Sequence, residues 1–454
     1  MTTSGELIEE GVNNNGVNTE GGAKTTGNPA MARRAALAGG VGTVIEYYDF
    51  SVYGFLALTL APLFFPEQDP ATATLSALAV FASSYLVRPV GGWFFGILGD
   101  RRGRRFALVS TVLLMSAACL VMGLLPTHAN IGIAATVAIV IVRLVQGFAA
   151  GGEVGGAATY IAELAPPGRR GFFGSSTAMG ATFGFAVAAA VVGAVRLGLS
   201  AEQMQSWGWR IPFLVSVIFA AVALWGRLRL EDSPQFKELE ERLDGPAVEK
   251  RPLATVIRNH PLSVLRVFGM SVALNGTVYI GLTYFGIFLQ RKGHLSPTAI
   301  AWIAAAGIAI ATITFPLPGL LSDRFDRKPV LIVGYVALAL LAWPAFSILS
   351  TTSSVLLAIA VYVVYMFFNG FVQVPTYALA AELFPTNVRY TGIALGYNLG
   401  TITAGGTAPL IAELLVQRTG QDTSPAGWVI LVAVVGLISV ATVGRTASKS
   451  LPQH

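Results

Sequence analysis

The chain has 454 residues, of which 54% are hydrophobic and only 12% are charged, and its formal net charge is +6. A soluble domain usually carries about a quarter charged residues, so this composition excludes an ordinary soluble protein and favours a membrane protein. The single cysteine, Cys119, excludes an intramolecular disulfide and a cysteine-rich metal site.

Long apolar runs recur along the chain, and a helix needs ~20 such residues to cross a ~30 Å hydrocarbon layer. Inside that layer every backbone polar group must be paired within the chain, so each run predicts a helix. The predicted spans of the first half are 36–64, 72–98, 105–125, 131–163, 172–195 and 209–227. Those of the second half are 262–289, 298–321, 329–349, 354–383, 390–416 and 427–445.

These spans divide the chain into two bundles, at 36–227 and 262–446, with tails at 1–35 and 447–454. The first tail is rich in Asn, Gly, Thr and Glu, which predicts disorder. The polar stretch at 228–261 forms a central loop, in which Phe236, Leu239 and Leu243 predict a short helix lying on the membrane surface.

Most of the 30 basic residues lie in the two tails and in every second loop. The positive-inside rule therefore predicts that both termini and the central loop are cytoplasmic. The Ala- and Gly-rich composition suggests a bacterial source, so we expect a multi-pass protein of the cytoplasmic (inner) membrane. The expected partners are the lipid bilayer and a small-molecule substrate, with no nucleic acid, and we expect a monomer.

Two sequence patterns occur once in each half. GILGDRRGRR at 96–105 is repeated as GLLSDRFDRK at 319–328, and AELAPPGRR at 162–170 is repeated as AELFPTNVR at 381–389. The separation in sequence between the two copies is nearly the same for both patterns, which indicates an ancestral duplication. Two halves related by an axis along the membrane normal are a transporter architecture, with the binding site between the halves near mid-membrane.

The charged residues of these repeats predict a latch at the cytoplasmic side, because salt bridges that form in only one state can hold that side closed. Glu153, amid the glycines of GGEVGG, is a further gate partner or a second proton site. The alternative is that the arginines only set the topology. The predicted gating residues are Asp100, Arg101, Arg104, Glu153, Glu163, Arg170, Asp323, Arg324, Arg327, Glu382 and Arg389.

The G-x-x-x-D-R-x-G-R-R pattern at 96–105 resembles the most specific signature of the major facilitator superfamily. In the second copy, Asp326 stands where Gly103 stands in the first. RLVQG at 143–147 resembles a second motif, which is associated with proton-linked members. The resemblance implies an all-α membrane protein with twelve transmembrane helices in two pseudo-symmetric six-helix bundles.

Three segments give a narrower resemblance: EYYDFSVYG at 46–54, RPVGGWFFGILGD at 88–100 and EDSPQF at 231–236. Together they resemble the metabolite:proton symporter family, whose members carry 2-oxoglutarate, citrate, shikimate, or proline and betaine. The resemblance covers nearly the whole chain after residue 36 and leaves the substrate open.

Ionisable groups inside a span cost about 2.5–3.5 kcal/mol on insertion scales, so each one predicts a role. Glu46, Asp49 and Tyr53 share one face of the first span, and Arg143 lies in the fourth. At ~1.5 Å per residue, Asp49 and Arg143 both fall near mid-depth, where they can neutralise each other. Sugar porters of the same superfamily use a similar Asp and Arg.

These residues predict proton coupling. Burial favours a protonated carboxyl, whereas a nearby arginine favours the charged form, so a change in their distance would load and release a proton. Asp49, Glu46 and Arg143 are the predicted proton-coupling residues, and which of the two carboxyls carries the proton stays open. The alternative is a static ion pair that joins two helices.

Arg88 is the first candidate substrate ligand, because its guanidinium suits a carboxylate; the alternative is that it reaches the cytoplasmic headgroups. The other predicted substrate residues are polar groups inside the spans, and each of them can instead form an interhelical hydrogen bond worth about 0.6 kcal/mol. They are Tyr53, Gln146, Asn275, Tyr279, Asn369, Gln373 and Asn398.

The chain contains no GxxxxGK[ST], HExxH or CxxC pattern, so neither ATP-driven transport nor a metal enzyme is expected. The sequence predicts a non-enzymatic, proton-coupled symporter that imports a small organic acid or zwitterion by alternating access, with the proton as coupling ion and no cofactor or metal. The alternatives are a drug:proton antiporter, an osmolyte carrier and a sensor that binds a metabolite without moving it.

Overall fold

A computed structural model describes residues 29–66, 69–102, 104–151, 165–166, 168–228, 252–385 and 388–446. These residues form twelve helical spans, here numbered α1 to α12, and no β-strand. The first half consists of α1 (Pro29–Phe64), α2 (Pro70–Leu86, continued as Arg88–Arg102), α3 (Arg104–Leu124), α4 (Ile133–Gly151), α5 (Arg170–Gly198) and α6 (Arg210–Leu228).

The second half has the same number of spans. It consists of α7 (Pro261–Tyr279, a π-helical turn at Ile280–Tyr284, and Phe285–Lys292), α8 (Pro297–Ile313 and Pro316–Phe325), α9 (Arg327–Thr351), α10 (Val355–Glu382), α11 (Arg389–Ala404 and Thr407–Thr419) and α12 (Pro425–Ala441). Short helices lie at His128–Ile131, Ala201–Gln203 (followed by a π-helical turn, Met204–Gly208) and Pro252–Asn259.

The predicted fold class, an all-α membrane protein with twelve spans in two bundles, is confirmed. Within the described residues, eight helices are long and apolar enough to cross a membrane, and three shorter apolar helices accompany them. The outward faces are apolar as well: Trp93 is 69% and Leu340 is 72% exposed. Lipid tails solvate such side chains, while the helical backbone pairs its own polar groups. The chain is therefore a multi-pass membrane protein.

Two details differ from the sequence prediction or lie outside what the structure describes. α1 begins at Pro29 and not at residue 36, so the end of the predicted disordered tail is helical. Proline suits the first turn of a helix, which needs no N–H there, and the alanines that follow favour helix. The predicted surface helix around Phe236, Leu239 and Leu243 lies outside the described residues.

The two halves meet along two equivalent contacts, α5 against α8 and α2 against α11. α5 corresponds to α11 of the other half, and α8 corresponds to α2, so the two contacts are equivalent. This is expected for a pseudo-two-fold axis along the membrane normal. α1 and α5 run parallel, since Gly180 lies against Gly40 and Arg196 bonds to Thr59. We call the end of the bundle at which α1 and α5 begin the terminal end.

Asp326 lies at the terminal end, between α8 and α9. Its backbone has φ 86° and ψ 163°, a region that is essentially reserved for glycine and costs another residue about 1–3 kcal/mol. Its carboxylate accepts hydrogen bonds from the backbone N–H of Arg327 (2.7 Å) and of Thr446 (3.2 Å). The side chain thus caps α9 and ties down the segment after α12, which offsets the backbone strain.

We therefore expect Asp326→Ala to lower the stability by about 1–2 kcal/mol, because alanine keeps the strained backbone and loses the cap. Asp326→Gly should stay closer to the wild type, since glycine relieves the strain while it loses the same cap. The midpoint of thermal unfolding of the purified protein in detergent measures both. Equal midpoints for the two variants would contradict this account.

Candidate substrate and coupling site

Close packing of α2 against α4 positions two arginines. A Cβ on Gly147 would overlap the backbone carbonyl of Ser84, and one on Gly151 would overlap that of Arg88. Small residues let membrane helices approach at backbone distance. This contact brings Arg88 of α2 and Arg143 of α4 to the same place in the first half, with both side chains buried.

The two arginines lie on aromatic rings. The guanidinium carbon of Arg143 lies 4.6 Å from the ring centre of Phe50 and 4.5 Å from that of Tyr53. That of Arg88 lies 4.5 Å from Phe50 and 4.3 Å from Tyr85. A cation over a ring face is stabilised by about 0.5–2 kcal/mol or more when it is desolvated. We call this group of two arginines and three rings the arginine box.

The polar partners of Arg143 are neutral. Its Nη1 donates to Gln146 Oε1 at 2.8 Å, and its Nη2 donates to Ser84 Oγ at 3.2 Å. Gln146 in turn donates to the sulfur of Cys119 at 3.1 Å, and that sulfur lies 4.0 Å from the backbone oxygen of Asp49. A chain of neutral groups therefore joins the two predicted coupling residues.

Asp49 is buried, with 3% of its surface exposed. In the described part of the chain, Arg143 contacts Gln146, Ser84 and aromatic rings. The sequence analysis had instead expected it to pair with Asp49. The direct ion pair is thus not formed in this structure. The reason is that Phe50 and Tyr53, on the same helix as Asp49, cover the guanidinium, while the backbone oxygen of Asp49 lies beside Cys119.

A small cavity lies between the two halves. Tyr47 of α1 and Ala181 and Phe185 of α5 line it from the first half. α7, α10 and α11 line it from the second half, through Leu274, Asn275, Val278, Tyr279, Leu282, Gln373, Tyr377 and Tyr397. We call it the tyrosine cavity. Of the predicted substrate residues, Asn275, Tyr279 and Gln373 line it.

The other predicted substrate residues lie elsewhere. Asn369 accepts a hydrogen bond from Thr277 at 3.1 Å and so joins α10 to α7. Tyr53 donates to the backbone oxygen of Ala77 at 3.0 Å. Like Arg88 and Gln146, these two residues take part in contacts between helices, and none of the four is among the residues that line the cavity. Asn398 follows Tyr397 on α11 and is buried without lining the cavity either.

Sequence reasoning missed three of the five aromatic lining residues, Tyr47, Phe185 and Tyr397. Each is an aromatic residue inside a predicted span, and such residues usually pack in a core. Only the packing of the two halves shows that their rings face a common space. The signal in the sequence was therefore too weak to select them.

One aromatic layer separates the tyrosine cavity from the arginine box. The ring centre of Tyr279, which lines the cavity, lies 5.6 Å from that of Tyr85 and 6.2 Å from that of Phe81. Tyr85 lies under Arg88, and Phe81 lies 5.3 Å from the guanidinium carbon of Arg143. The rings of Tyr279, Tyr85 and Phe81 therefore form a continuous path of contacts from the cavity to the two cations.

At the terminal end, a carboxylate of the second half caps a helix of the first. Asp323 accepts hydrogen bonds from the backbone N–H groups of Gly171 and Phe172, both at 2.8 Å. A negative charge at a helix N-terminus pairs with its unsatisfied N–H groups and its dipole. The close approach requires glycine on both sides: a Cβ on Gly171 would lie 2.6 Å from the carbonyl oxygen of Gly319.

Two arginines and Glu382 complete this cluster, which we call the terminal latch. Arg327 binds Asp323 at 2.6 Å and Glu382 at 3.0 Å, and Arg170 of the first half lies 3.8 Å from Glu382. Four of the predicted gating residues therefore meet in one network that crosses from one half to the other. The network is buried, so its ion pairs are screened little by salt.

The remaining predicted residues divide into two groups. Arg389 donates to the backbone oxygens of Ala381 and Phe384, at 2.9 and 3.2 Å, and so caps the end of α10. The guanidinium of Arg324 lies over the ring of Phe325 at 5.4 Å. Glu153 and Glu163 lie outside the described residues, and so do the side chains of Glu46, Asp100, Arg101 and Arg104.

Glu413 of α11 is a buried carboxylate that sequence reasoning missed. It is fully buried, pairs with Arg291 at the end of α7, and accepts hydrogen bonds from Tyr284 (3.3 Å) and Gln417 (2.9 Å). It lies within the predicted span 390–416, so the rule that an acidic residue in a span needs a role would have found it. It fastens the outer part of α7 to α11.

We expect Glu413→Ala to lower the stability by about 2–3 kcal/mol, because it removes an ion pair and two hydrogen bonds from a buried position. The midpoint of thermal unfolding in detergent is the measurement. The matched control is Asp422→Ala, which breaks the half-exposed pair with Lys292 and should cost less than about 1 kcal/mol. A similar loss of stability in both variants would show that burial of Glu413 adds nothing to the stability that its contacts provide.

Comparisons with known proteins agree with this architecture. Residues 35–251 match the family model "Sugar (and other) transporter", and residues 282–453 match "Major Facilitator Superfamily". The xylose transporter XylE from E. coli, in a partially occluded inward-open structure, aligns with a TM-score of 0.73 at 18% identity. The alignment covers 93% of this chain and all of that one.

Sequence relatives align over nearly the full length. The chain is 36% identical to the proline/betaine transporter of Salmonella typhimurium over 92% of this chain and 85% of the relative. It is also 36% identical, over 92% of this chain and 84% of the relative, to a glycine betaine/proline/ectoine/pipecolic acid transporter of Dickeya dadantii. The chain therefore belongs to the major facilitator superfamily and is a multi-pass membrane transporter.

Proposed function

We propose that this transporter is a proton-coupled symporter that imports a small zwitterion of the proline or betaine type. The substrate class is inferred from one observation: the chain is 36% identical, over 92% of its length, to proteins named as proline/betaine transporters. The tyrosine cavity supports it, since none of its eleven lining residues is charged. A zwitterion has no net charge to be balanced there, whereas an organic acid, the other class that the sequence allowed, has.

The proton would be carried by Asp49, with Glu46 as the second candidate. A carboxylate buried in the middle of a membrane helix is costly unless it is neutralised, and binding a proton neutralises it. Arg143, buried nearby on α4 and connected to Asp49 through Gln146 and Cys119, stabilises the charged form. A shift of α1 against α3 and α4 changes the distance between Asp49 and Arg143, and with it the affinity for the proton.

Alternating access would come from rocking of one half against the other around the tyrosine cavity. The terminal latch holds the halves together at one end and must open in the other state. We infer that the terminal end faces the cytoplasm, with both chain termini on that side, because most basic residues lie in loops and tails of that end. Opening the latch would then release substrate and proton into the cell.

We expect Asp49→Asn to abolish accumulation of labelled substrate driven by an imposed proton gradient in proteoliposomes, by tenfold or more. Asparagine resembles the protonated carboxyl and cannot release a proton. Exchange of labelled for unlabelled substrate across the membrane should persist, because it needs no net proton movement. Glu46→Gln is the comparison that decides between the two carboxyls.

Proton-driven uptake that is intact in Asp49→Asn and lost in Glu46→Gln would assign the proton to Glu46. Uptake that is intact in both variants, and in the double variant, would overturn proton coupling through this helix.

The terminal latch makes a second prediction. Asp323→Asn removes the charge that caps α5 and pairs with Arg327, so the closed form of the terminal end loses about 2–4 kcal/mol relative to the open form. We expect transport to fall at least tenfold, with normal insertion into the membrane. In a protein without Cys119, a cysteine introduced at Ser175, which is buried near the latch, should become more reactive from the terminal side.

The matched control is Arg324→Ala, which removes a charge one residue away and outside the latch. It should keep both the transport rate and the low reactivity of the introduced cysteine. An Asp323→Asn variant that behaves like Arg324→Ala would show that the cluster is a static contact.

A further inference from the structure

The lining of the tyrosine cavity has an unusual composition for a site that takes a charged molecule. Five of its eleven residues are aromatic, four are aliphatic and two are amides, and none carries a charge. Both halves contribute rings: Tyr47 and Phe185 from the first, and Tyr279, Tyr377 and Tyr397 from the second. The site therefore offers mainly ring faces and methyl groups to its ligand.

The rings form two groups that face the same space. Phe185 lies 6.3 Å from Tyr47 and 5.9 Å from Tyr279 between ring centres. Tyr377 and Tyr397 lie 5.9 Å apart between ring centres, and their hydroxyls lie 3.3 Å apart. A positively charged group between these rings is attracted by their faces, and aromatic groups of this kind recognise methylated ammonium ions.

The polar atoms of the cavity select against ligands that must form many hydrogen bonds. The amide nitrogen of Asn275 already donates to Ser271 and Thr401, and the amide oxygen of Gln373 already accepts from Thr182 at 3.0 Å. A primary ammonium brings three N–H donors, each of which is costly to bury without a partner. A fully methylated nitrogen brings none, and its methyl groups pack on rings and aliphatic side chains.

The surroundings of the cavity set the direction of the ligand. The arginine box lies behind Tyr279 and Tyr85, so the positive potential is higher on that side of the cavity. The carboxylate of a zwitterion is drawn towards this side, and its cationic nitrogen then fits the rings of Tyr377 and Tyr397, which are not part of the arginine box.

We propose that the tyrosine cavity binds the alkylated ammonium group of a zwitterion on its ring faces, with Tyr377 and Tyr397 as the residues that determine the preference for this group. The proposal rests on the proposed function for the zwitterion, and it adds the site, the orientation and the order of preference. That order is a fully methylated nitrogen first, then the secondary amine of a ring such as proline, then a primary amine.

The test compares glycine betaine with 3,3-dimethylbutyrate, which has the same shape and carboxylate but a neutral carbon in place of the nitrogen. Binding to the purified wild-type protein is measured by calorimetry, and uptake by proteoliposomes. We expect the wild type to bind betaine about tenfold or more tightly than the neutral analogue, and tenfold corresponds to about 1.4 kcal/mol. Both ligands are measured on the same variant, so a general effect of the mutation on folding changes both affinities and leaves their ratio unchanged.

Tyr377→Leu and Tyr397→Leu should each reduce the ratio to about one to three, whereas Tyr377→Phe, which keeps the ring, should preserve most of it. Phe371→Leu is the matched control, because it removes a ring from the same helix, α10, outside the cavity, and should leave the ratio unchanged. A wild type without preference, or leucine variants that keep it, would overturn the proposal even if betaine is transported.

The two hypotheses fail in different ways. Preferential binding of betaine without uptake would support the aromatic site and overturn the symporter. Uptake of betaine with a ratio near one would support the symporter and overturn the aromatic site. Absence of betaine binding would overturn the aromatic site, and absence of proton-driven uptake of both betaine and proline would overturn the symporter.

Discussion

Backbone contact between α2 and α4 determines the electrostatics of the first half. Because Gly147 and Gly151 let the two helices touch, Arg88 and Arg143 are buried close together, where each like charge destabilises the other. The structure stabilises them with the rings of Phe50, Tyr53 and Tyr85 and with neutral hydrogen-bond acceptors. The acidic residue that the sequence placed opposite Arg143 is left beside Cys119. Charge neutralisation in this half therefore depends on the position of α1, which is a property that a coupling mechanism requires.

Three groups of residues lie in different parts of the bundle. The arginine box and Asp49 form a charged region within the first half. The tyrosine cavity, between the halves, presents rings and amides. The terminal latch joins the halves through Asp323, Arg327, Glu382 and Arg170. Tyr279 connects the first two regions, since its ring lines the cavity and contacts Tyr85 of the box. A ligand that displaces this ring would change the environment of both arginines.

The two halves are related in sequence but differ in the contacts that hold each one together. Asp326 stands where the first repeat has Gly103, and the structure shows a backbone conformation there that glycine adopts without cost. The second half keeps an aspartate because its carboxylate caps α9 and holds the segment after α12. The second half also contains the fastening of α7 to α11 by Glu413 and Arg291. The π-helical turn at Ile280–Tyr284 belongs to both features, since Leu282 lines the cavity and Tyr284 donates to Glu413, and such turns often occur at functional sites.

The sequence by itself determined the class, the twelve spans and the relation between the halves. Apolar length and basic loops are local properties that follow from the cost of burying polar groups in lipid. It also identified the members of the latch, since the repeats placed Asp323, Arg327, Glu382 and Arg170 in loops of one side. Only the tertiary structure decided which polar residues face the cavity. Asn275 and Asn369 look alike in sequence, yet one lines the cavity and the other bonds to Thr277, because helix rotation and tilt are set by packing with neighbouring helices. The same reason separates Asp49 from Arg143: depth in the membrane can be counted along a helix, but direction across the bundle depends on contacts that no single helix contains.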